Sequence, residues 1–341
     1  MTTIDDVARL AGVSTATVSR ALRGLPTVSE TTRIRVLLAA EQLDYAASPS
    51  ASRLAGGKTC TVAVIVPRIT PWFVGAVLEG AEEILHAAGY DLLLYNIGGR
   101  EQARARLLRK ANLPKRADAV MLVATPIGAG DLAVIAHLAL PGVTVSSGTV
   151  VPGWPSIRID DRAAGRAATE HLLRLGHRRI ACVFGDPADD FAHPAHLERQ
   201  LGYREALDAA GIRPDPRLGI ETRADAEGGR SATEQLITRG DPPTAIFASC
   251  DEMAMGVVNA VRLAGLRVPQ EVSVVGVDDH DLAGAFGLTT VAQPAAEQGQ
   301  LAAASLLGPL AGRARSQEEL DPVILPTRLV VRDSTGPPRA D

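Results

Sequence analysis

Residues 3–23 read TIDDVARLAGVSTATVSRALR, and the spacing within them predicts two short helices around a tight turn. Ile4, Val7, Ala8 and Ala11 recur at helical spacing and make one apolar face. Thr3 is placed to cap that helix. Asp5 and Asp6 lie in its first turn, where the free amides favour negative charge. Gly12 follows the last periodic residue, as a left-handed C-terminal turn requires. Ser14 caps the second helix, with Val13 and Val18 flanking it as a hydrophobic staple. Val18, Ala21 and Leu22 then face the first helix. Thr15, Ala16, Thr17, Ser19, Arg20 and Arg23 are left pointing outward. This is a helix-turn-helix pattern. Small residues at the start of the second helix let its backbone approach a major groove. Threonine can touch a thymine methyl, and arginine can reach a guanine edge or a phosphate. Thr15, Ala16, Thr17, Arg20 and Arg23 are therefore the candidate DNA-reading residues. A helical hairpin at the edge of an ordinary domain is the plainer alternative. The agreement of cap, turn, staple and basic face favours DNA.

The chain on either side fits a separate head. Ser29 caps a third helix running to about Leu43, with Ile34, Leu37 and Leu38 expected inward, which completes an all-α head over residues 1–45. Residues 46–60 begin AASPSASRLAGGK, with Pro49 where a helix could start and Gly56 and Gly57 where it could end. So short a helix is marginal alone in water. Two readings stand: a flexible linker, or a hinge that turns helical only on DNA and drives Leu54 into the minor groove as a wedge.

Charge agrees with that division. The formal net charge is −4, which alone argues against a nucleic-acid binder. Residues 1–58, however, hold Arg9, Arg20, Arg23, Arg33, Arg35, Arg53 and Lys58 against Asp5, Asp6, Glu30, Glu41 and Asp44. A small basic head on a larger acidic body is the distribution expected of a DNA-reading module. The three cysteines, Cys60, Cys182 and Cys250, are far apart and odd in number, which fits reduced cytoplasmic thiols without a metal cluster. No apolar run is long enough to span a bilayer, and no secretory leader is visible.

From Thr61 the pattern changes. Strand-like runs at 61–66, 91–95, 119–123, 142–145, 179–184, 219–222, 245–248 and 272–277 alternate with helical patterns at 74–88, 102–110, 132–138, 161–175, 199–210, 228–239 and 254–264. Repeated βα units imply parallel sheets covered on both faces. Their number exceeds what one sheet holds comfortably, so the expectation is two lobes over residues 61–332. The second lobe should begin near Ala163 and the chain should cross back near 287–295. The polar, Pro-containing tail 333–341 is expected to be disordered.

Several stretches carry a resemblance: the opening TIDDVARLAGVSTATVSRAL, SPSASRLAGG at 48–57, PWF at 71–73, HLLRLGHRRIACVFG at 171–185, RQLGYREAL at 199–207, CDEMAMG at 250–256, LRVPQEVSVVGVDD at 266–279 and LTTVAQP at 288–294. Together they resemble the LacI/GalR family of transcriptional regulators over essentially the whole length. The resemblance implies a core like a periplasmic sugar-binding protein, a homodimer, and a palindromic operator whose half-sites share the dimer's symmetry. It also implies a cytoplasmic regulator, expected to be a repressor, controlled by a sugar or sugar derivative held between the lobes, with no cofactor. The C-terminus shows no leucine heptads, so no coiled-coil tetramer is expected.

In open parallel sheets, ligands bind beyond the carboxyl ends of the strands, which points to the cleft between the lobes. Trp72 and Phe73 follow the first strand and offer ring faces, with Phe73 alternatively in the core. Ser146, His193, Arg199, Asp251 and Asp278 follow later strands. By resemblance, Arg199 and Asp278 match the family's polar clamp, a rigid fork of donors beside an acceptor for hydroxyls. Asp251 has a second reading as a helix cap. The sequence departs from the family at Cys250, where many sugar-binding members have Asn, and at Ser146, where an acid is frequent. It also lacks an aromatic in 223–226. A solute-binding receptor with the same core is the alternative function, opposed by the head at 1–58. An enzyme is not expected. There is no phosphate loop, no G-x-S-x-G elbow and no metal-spaced His/Cys set. The pairs Asp160–Asp161 and Asp278–Asp279 read more simply as strand ends and caps than as acid–base machinery.

Overall fold

Helix α1 (Ile4–Ala11) starts on Thr3, whose hydroxyl accepts the Asp6 amide while the Asp6 carboxylate accepts the Thr3 amide. This reciprocal box satisfies two end donors. The helix ends on Gly12 at φ 64°, a left-handed turn that glycine adopts without a Cβ clash. In α2 (Thr15–Leu22) the Ser14 hydroxyl accepts the Thr17 amide at 3.2 Å. Ser29 caps α3 (Glu30–Gln42) through the Thr32 amide. The three helices close over Val7, Ala8, Ala11, Val18, Ala21, Val36, Ala39 and Ala40. They form the first of two units, residues 1–60, and the second unit is residues 61–341. The structure is a computed structural model that describes residues 2–22, 25–45, 58–98, 113–187, 193–240 and 242–339. The hinge expected within 46–60 falls largely outside the described residues.

One expectation about the head is corrected. Ile34, Leu37 and Leu38 face outward, with 50%, 48% and 59% of their surface exposed. The face of α3 that meets α1 and α2 is instead Val36, Ala39 and Ala40. Their small side chains let the helices approach closely, and the larger aliphatic residues fall on the opposite arc.

The second unit holds two six-stranded sheets. The first has the order β11-β5-β4-β3-β1-β2, from β1 (Thr61–Val66), β2 (Asp91–Asn96), β3 (Ala119–Val123), β4 (Gly142–Val145), β5 (Ser156–Ile159) and β11 (Val323–Leu325), all parallel. The second has the order β12-β10-β9-β8-β6-β7, from β6 (Ile180–Gly185), β7 (Gly219–Thr222), β8 (Ala245–Ala248), β9 (Ser273–Asp278), β10 (Thr289–Ala292) and β12 (Arg328–Val330). Only β12 is antiparallel, on the edge beside β10. Central strands such as TVAVIV and AIFA are apolar on both faces because helices cover both.

Among the described residues the helices of this unit are α4 (Trp72–Ala87), α5 (Ala129–Ala136), α6 (Asp161–Arg174), α7 (Pro194–Ala209), α8 (Ala226–Thr238), α9 (Asp251–Leu263), the short α10 (Ala283–Phe286) and α11 (Ala295–Leu310). The helix expected at 102–110 lies outside the described residues. The chain enters the second lobe at Asp160–Asp161, two residues before the expected position. It returns after β10 into α11, which packs on α4. A third crossing, from β11 back to β12, was not expected. Three-residue strands carry too little periodicity to read.

The tail is corrected as well. Ser334 is buried, donates to the Val274 carbonyl at 2.6 Å and accepts the Thr289 amide at 2.7 Å. The Gly336 amide donates to the Ser273 hydroxyl, and His177 contacts the Gly336 carbonyl at 2.9 Å. Backbone groups of β9 and β10 need partners at this edge, and residues 334–336 supply them. Among the described residues no helix is long and apolar enough to cross a membrane, and no cluster of His, Cys, Asp or Glu is placed to hold a metal.

Candidate functional site

On the head, Ala16 and Arg20 of the second helix are exposed, and Thr15 and Thr17 are half-buried. The Thr17 hydroxyl lies 2.9 Å from Ser14 Oγ, so it serves the cap as well as the surface. Arg23 and Leu54 lie outside the described residues.

The second unit contains a cavity between the two sheets. Its walls are the carboxyl ends of the strands. Pro67 and Arg68 follow β1, Ala124 follows β3, and Ser146 follows β4. Gly185 and Asp186 come at the end of β6, Arg223 follows β7, Cys250 follows β8, Asp278 ends β9, and Gln293 follows β10. Three of these residues leave the usual backbone regions: Ala124 at φ 50°, Ser146 at φ 47° and Asp278 at φ 140°. Left-handed backbone at non-glycine residues is strained and concentrates where side chains must be aimed.

Arg199 forms the floor. It rides on α7, whose close approach to α6 depends on glycines. A Cβ on Gly202 would lie 2.0 Å from the Arg162 carbonyl oxygen, and one on Gly165 would lie 2.1 Å from that of Arg199. Only 5% of Arg199 is exposed. Its Nε donates to Asp161 at 2.9 Å, and its Nη1 donates to the Ser249 carbonyl at 2.7 Å and approaches Asp278 at 3.5 Å. Asp278 also accepts the Gln293 amide at 2.6 Å and the Asp251 backbone N–H at 3.4 Å. It therefore caps α9 from a neighbouring strand. Burial pushes the Asp161 and Asp278 carboxyls upward, and the Arg199 guanidinium pulls against that shift.

The aromatic side is built on imidazoles. His193 caps α7, its Nδ1 accepting the Ala195 amide at 3.0 Å, and its ring stands edge-on to Phe73 at 5.9 Å. Burial holds His193 down to about 3 and His196 well below its ordinary value, so both rings are neutral. Gly185 makes room for His196, because a Cβ there would meet the ring at 2.8 Å. Glu252 also lines the cavity, with the Trp72 backbone N–H near enough to favour its charged form. Burial, then the Asp278 charge, raise it to about 7.

Of the expected ligand residues, the cavity brings together Phe73, Ser146, His193, Arg199 and Asp278. Trp72 does not line it. The helix begins at Trp72 rather than two residues later, which turns its indole toward His280, 5.3 Å away. Asp251 is also corrected. It is fully buried behind the wall, its carboxylate accepting the Thr290 hydroxyl at 2.7 Å and the His280 amide at 2.9 Å. Nor does it cap its own helix, since Cys250 occupies that position. Sequence reasoning missed Arg68, Glu252 and Gln293, whose positions just past strand ends were the available signal.

Three comparisons bear on identity. A model described as "Bacterial regulatory proteins, lacI family" matches residues 3–48, and a "Periplasmic binding protein-like domain" model matches 169–335. The HTH-type transcriptional regulator DegA of Bacillus subtilis is 33% identical over 98% of this chain and 98% of its own length. The ribose operon repressor of Escherichia coli is 37% identical over 89% of this chain and 91% of its own. A lac repressor dimer, solved bound to operator and the anti-inducer ONPF, superposes with a TM-score of 0.82 at 28% identity. That match covers 98% of this chain and 99% of the repressor's.

Proposed function

The chain belongs to the lacI family of bacterial regulatory proteins and is a DNA-binding transcriptional regulator, and we propose that it is a repressor controlled by a carbohydrate held in the cleft between its lobes. It works as a homodimer on a palindromic operator, read by Thr15, Ala16, Thr17 and Arg20 of each α2. The observation that carries the effector reading is the pairing of Arg199 with Asp278 on the cavity floor. A guanidinium fork and an adjacent carboxylate together offer donors and acceptors at the spacing of neighbouring hydroxyls. The relative named for ribose supports the same ligand class. The effector acts only through different affinity for two conformations of the body, one of which holds DNA better.

An enzymatic role is not part of this reading. Asp161 and Asp251 are committed to structural partners, Asp161 to Arg199 and Asp251 to Thr290 and His280. The solute-receptor alternative is set aside, because the relatives are regulators across head and body alike.

The test selects duplex DNA on the purified full chain, then follows binding by fluorescence anisotropy with and without D-ribose, D-glucose and cellobiose. The expected result is a palindromic site, affinity falling steeply with salt as phosphate contacts release counterions, and a sugar that shifts the affinity. Binding of duplex DNA that is absent or insensitive to salt refutes the reading.

A further inference from the structure

The cavity wall is backed by a buried chain of amides whose direction is fixed at one end. Arg199 and the Asp251 backbone N–H are unambiguous donors to Asp278, so both carboxylate oxygens act as acceptors there. Gln293 must then present its NH2 to Asp278, at 2.6 Å. The Gln293 carbonyl is thereby turned to Gln298, which must donate to it, at 3.0 Å. The Gln298 carbonyl faces Ser146, whose hydroxyl donates to it at 3.1 Å. Gln298 is fully buried and does not line the cavity, whereas Ser146 does. With its proton spent on Gln298, Ser146 shows the cavity only lone pairs. On the opposite lobe, His193 Nδ1 accepts the Ala195 amide, so the neutral ring carries its proton on Nε2.

The charges of the cavity are already matched. Arg199 meets Asp161 and Asp278, Arg223 pairs with Asp225, and Arg68 and Glu252 are both on the cavity wall, where the cation acts on the carboxyl through space. Asp186 adds a further carboxylate to the wall. An anionic group entering here would meet paired cations and a surplus of acid.

We propose that the cleft selects an uncharged, hydroxyl-bearing effector, and that Gln298 is a specificity-determining residue because it fixes Ser146 as an acceptor that the effector must donate to. This rests on the carbohydrate reading above and sharpens it.

The test is isothermal titration calorimetry on the full chain with D-ribose, D-glucose and cellobiose, the phosphate esters of the two monosaccharides, and the monodeoxyfluoro analogues of whichever sugar binds. Fluorine accepts weakly and cannot donate. The expected result is that the neutral sugar binds at least about tenfold more tightly than its phosphate, and that one fluoro analogue is about tenfold weaker than the parent, the worth of one lost hydrogen bond. In Gln298→Met the Ser146 proton is released and can turn to the cavity, so that fluoro penalty should shrink to about threefold or less. A merely structural loss would weaken parent and analogue alike. Ser146→Ala should remove the same penalty, and it serves if Gln298→Met fails to fold. Tighter binding of a phosphate ester overturns the neutrality of the effector. A fluoro penalty unchanged in both variants overturns the role of Gln298. Operator binding that persists while no sugar or phosphate binds overturns the carbohydrate reading, and this inference with it.

Discussion

Replacing Arg199 with methionine removes the one cation shared by Asp161 and Asp278 while roughly keeping side-chain volume. At an effective dielectric of about 20, contacts of 2.9 Å and 3.5 Å correspond to gross attractions of about 6 and about 5 kcal/mol. Desolvation of the guanidinium offsets much of that sum. Breaking a buried cluster by removing one partner typically leaves a net loss of about 3–5 kcal/mol, which is the expected destabilisation of Arg199→Met at neutral pH. The loss carries a pH signature. Burial already raises both carboxyls above their unfolded values, and Arg199 is what pulls them back. Without it they rise further, so the folded variant binds protons that its unfolded chain has released. Stability then falls as pH rises and is regained as pH drops, with a slope of up to about 1.4 kcal/mol per pH unit for each proton held. Urea unfolding of wild type and variant from about pH 5 to about pH 8 should show midpoints that converge on the acid side. The same variant should lose its sugar response and keep operator binding. A deficit under about 1 kcal/mol, or one equal at both ends of the range, would refute the account of Arg199 as the counterion of this cluster.

Three further outcomes are expected. Gly165→Ala should destabilise by about 1–3 kcal/mol despite alanine's better helix propensity, because its methyl would press on the Arg199 backbone. Effector affinity should fall with it, and calorimetry showing unchanged affinity would mean that Arg199 is placed by something other than the α6–α7 approach. Arg20→Ala should weaken selected operator DNA by about 10–100-fold and random duplex far less, as measured by anisotropy; equal losses on both would make Arg20 a phosphate contact. Glu252 stands at about 7 in the fold against an ordinary 4.5, so its charge destabilises progressively as pH rises through that interval. Glu252→Gln should therefore match wild type in thermal stability near pH 4.5 and exceed it above pH 7; a constant difference across that range would contradict the assignment.

What the sequence disclosed and what it concealed divide along the range of the interactions involved. The strands TVAVIV, AVMLV, GVTV and AIFA were legible to the residue, since burial on both faces writes itself as an uninterrupted apolar run. The head was legible because its caps are local: Thr3, Gly12, Ser14 and Ser29 act within three or four residues of themselves. The phase of α3 was not, because the choice between Val36, Ala39 and Ala40 and their larger neighbours depends on how closely the other two helices approach. The starts of five helices, α4, α5, α7, α8 and α9, were read two to five residues late. Three of these, α4, α7 and α9, have first turns that line or back the cleft. None of these three opens on a standard capping residue. Pro71 and Cys250 provide no side-chain cap, and His193 takes that place with a ring nitrogen. For α9 the missing cap is Asp278, an acceptor from another strand 27 positions away. The same carboxylate receives Arg199 from α7 and ends the amide chain that runs through Gln298 of α11 to Ser146. A carboxylate has few lone pairs, so an effector hydroxyl that takes one must draw on what those partners already hold. An effector held at Asp278, as proposed, would therefore be felt at once by α7, α9 and α11. A residue that coordinates three helices in this way leaves no pattern in the residues beside it.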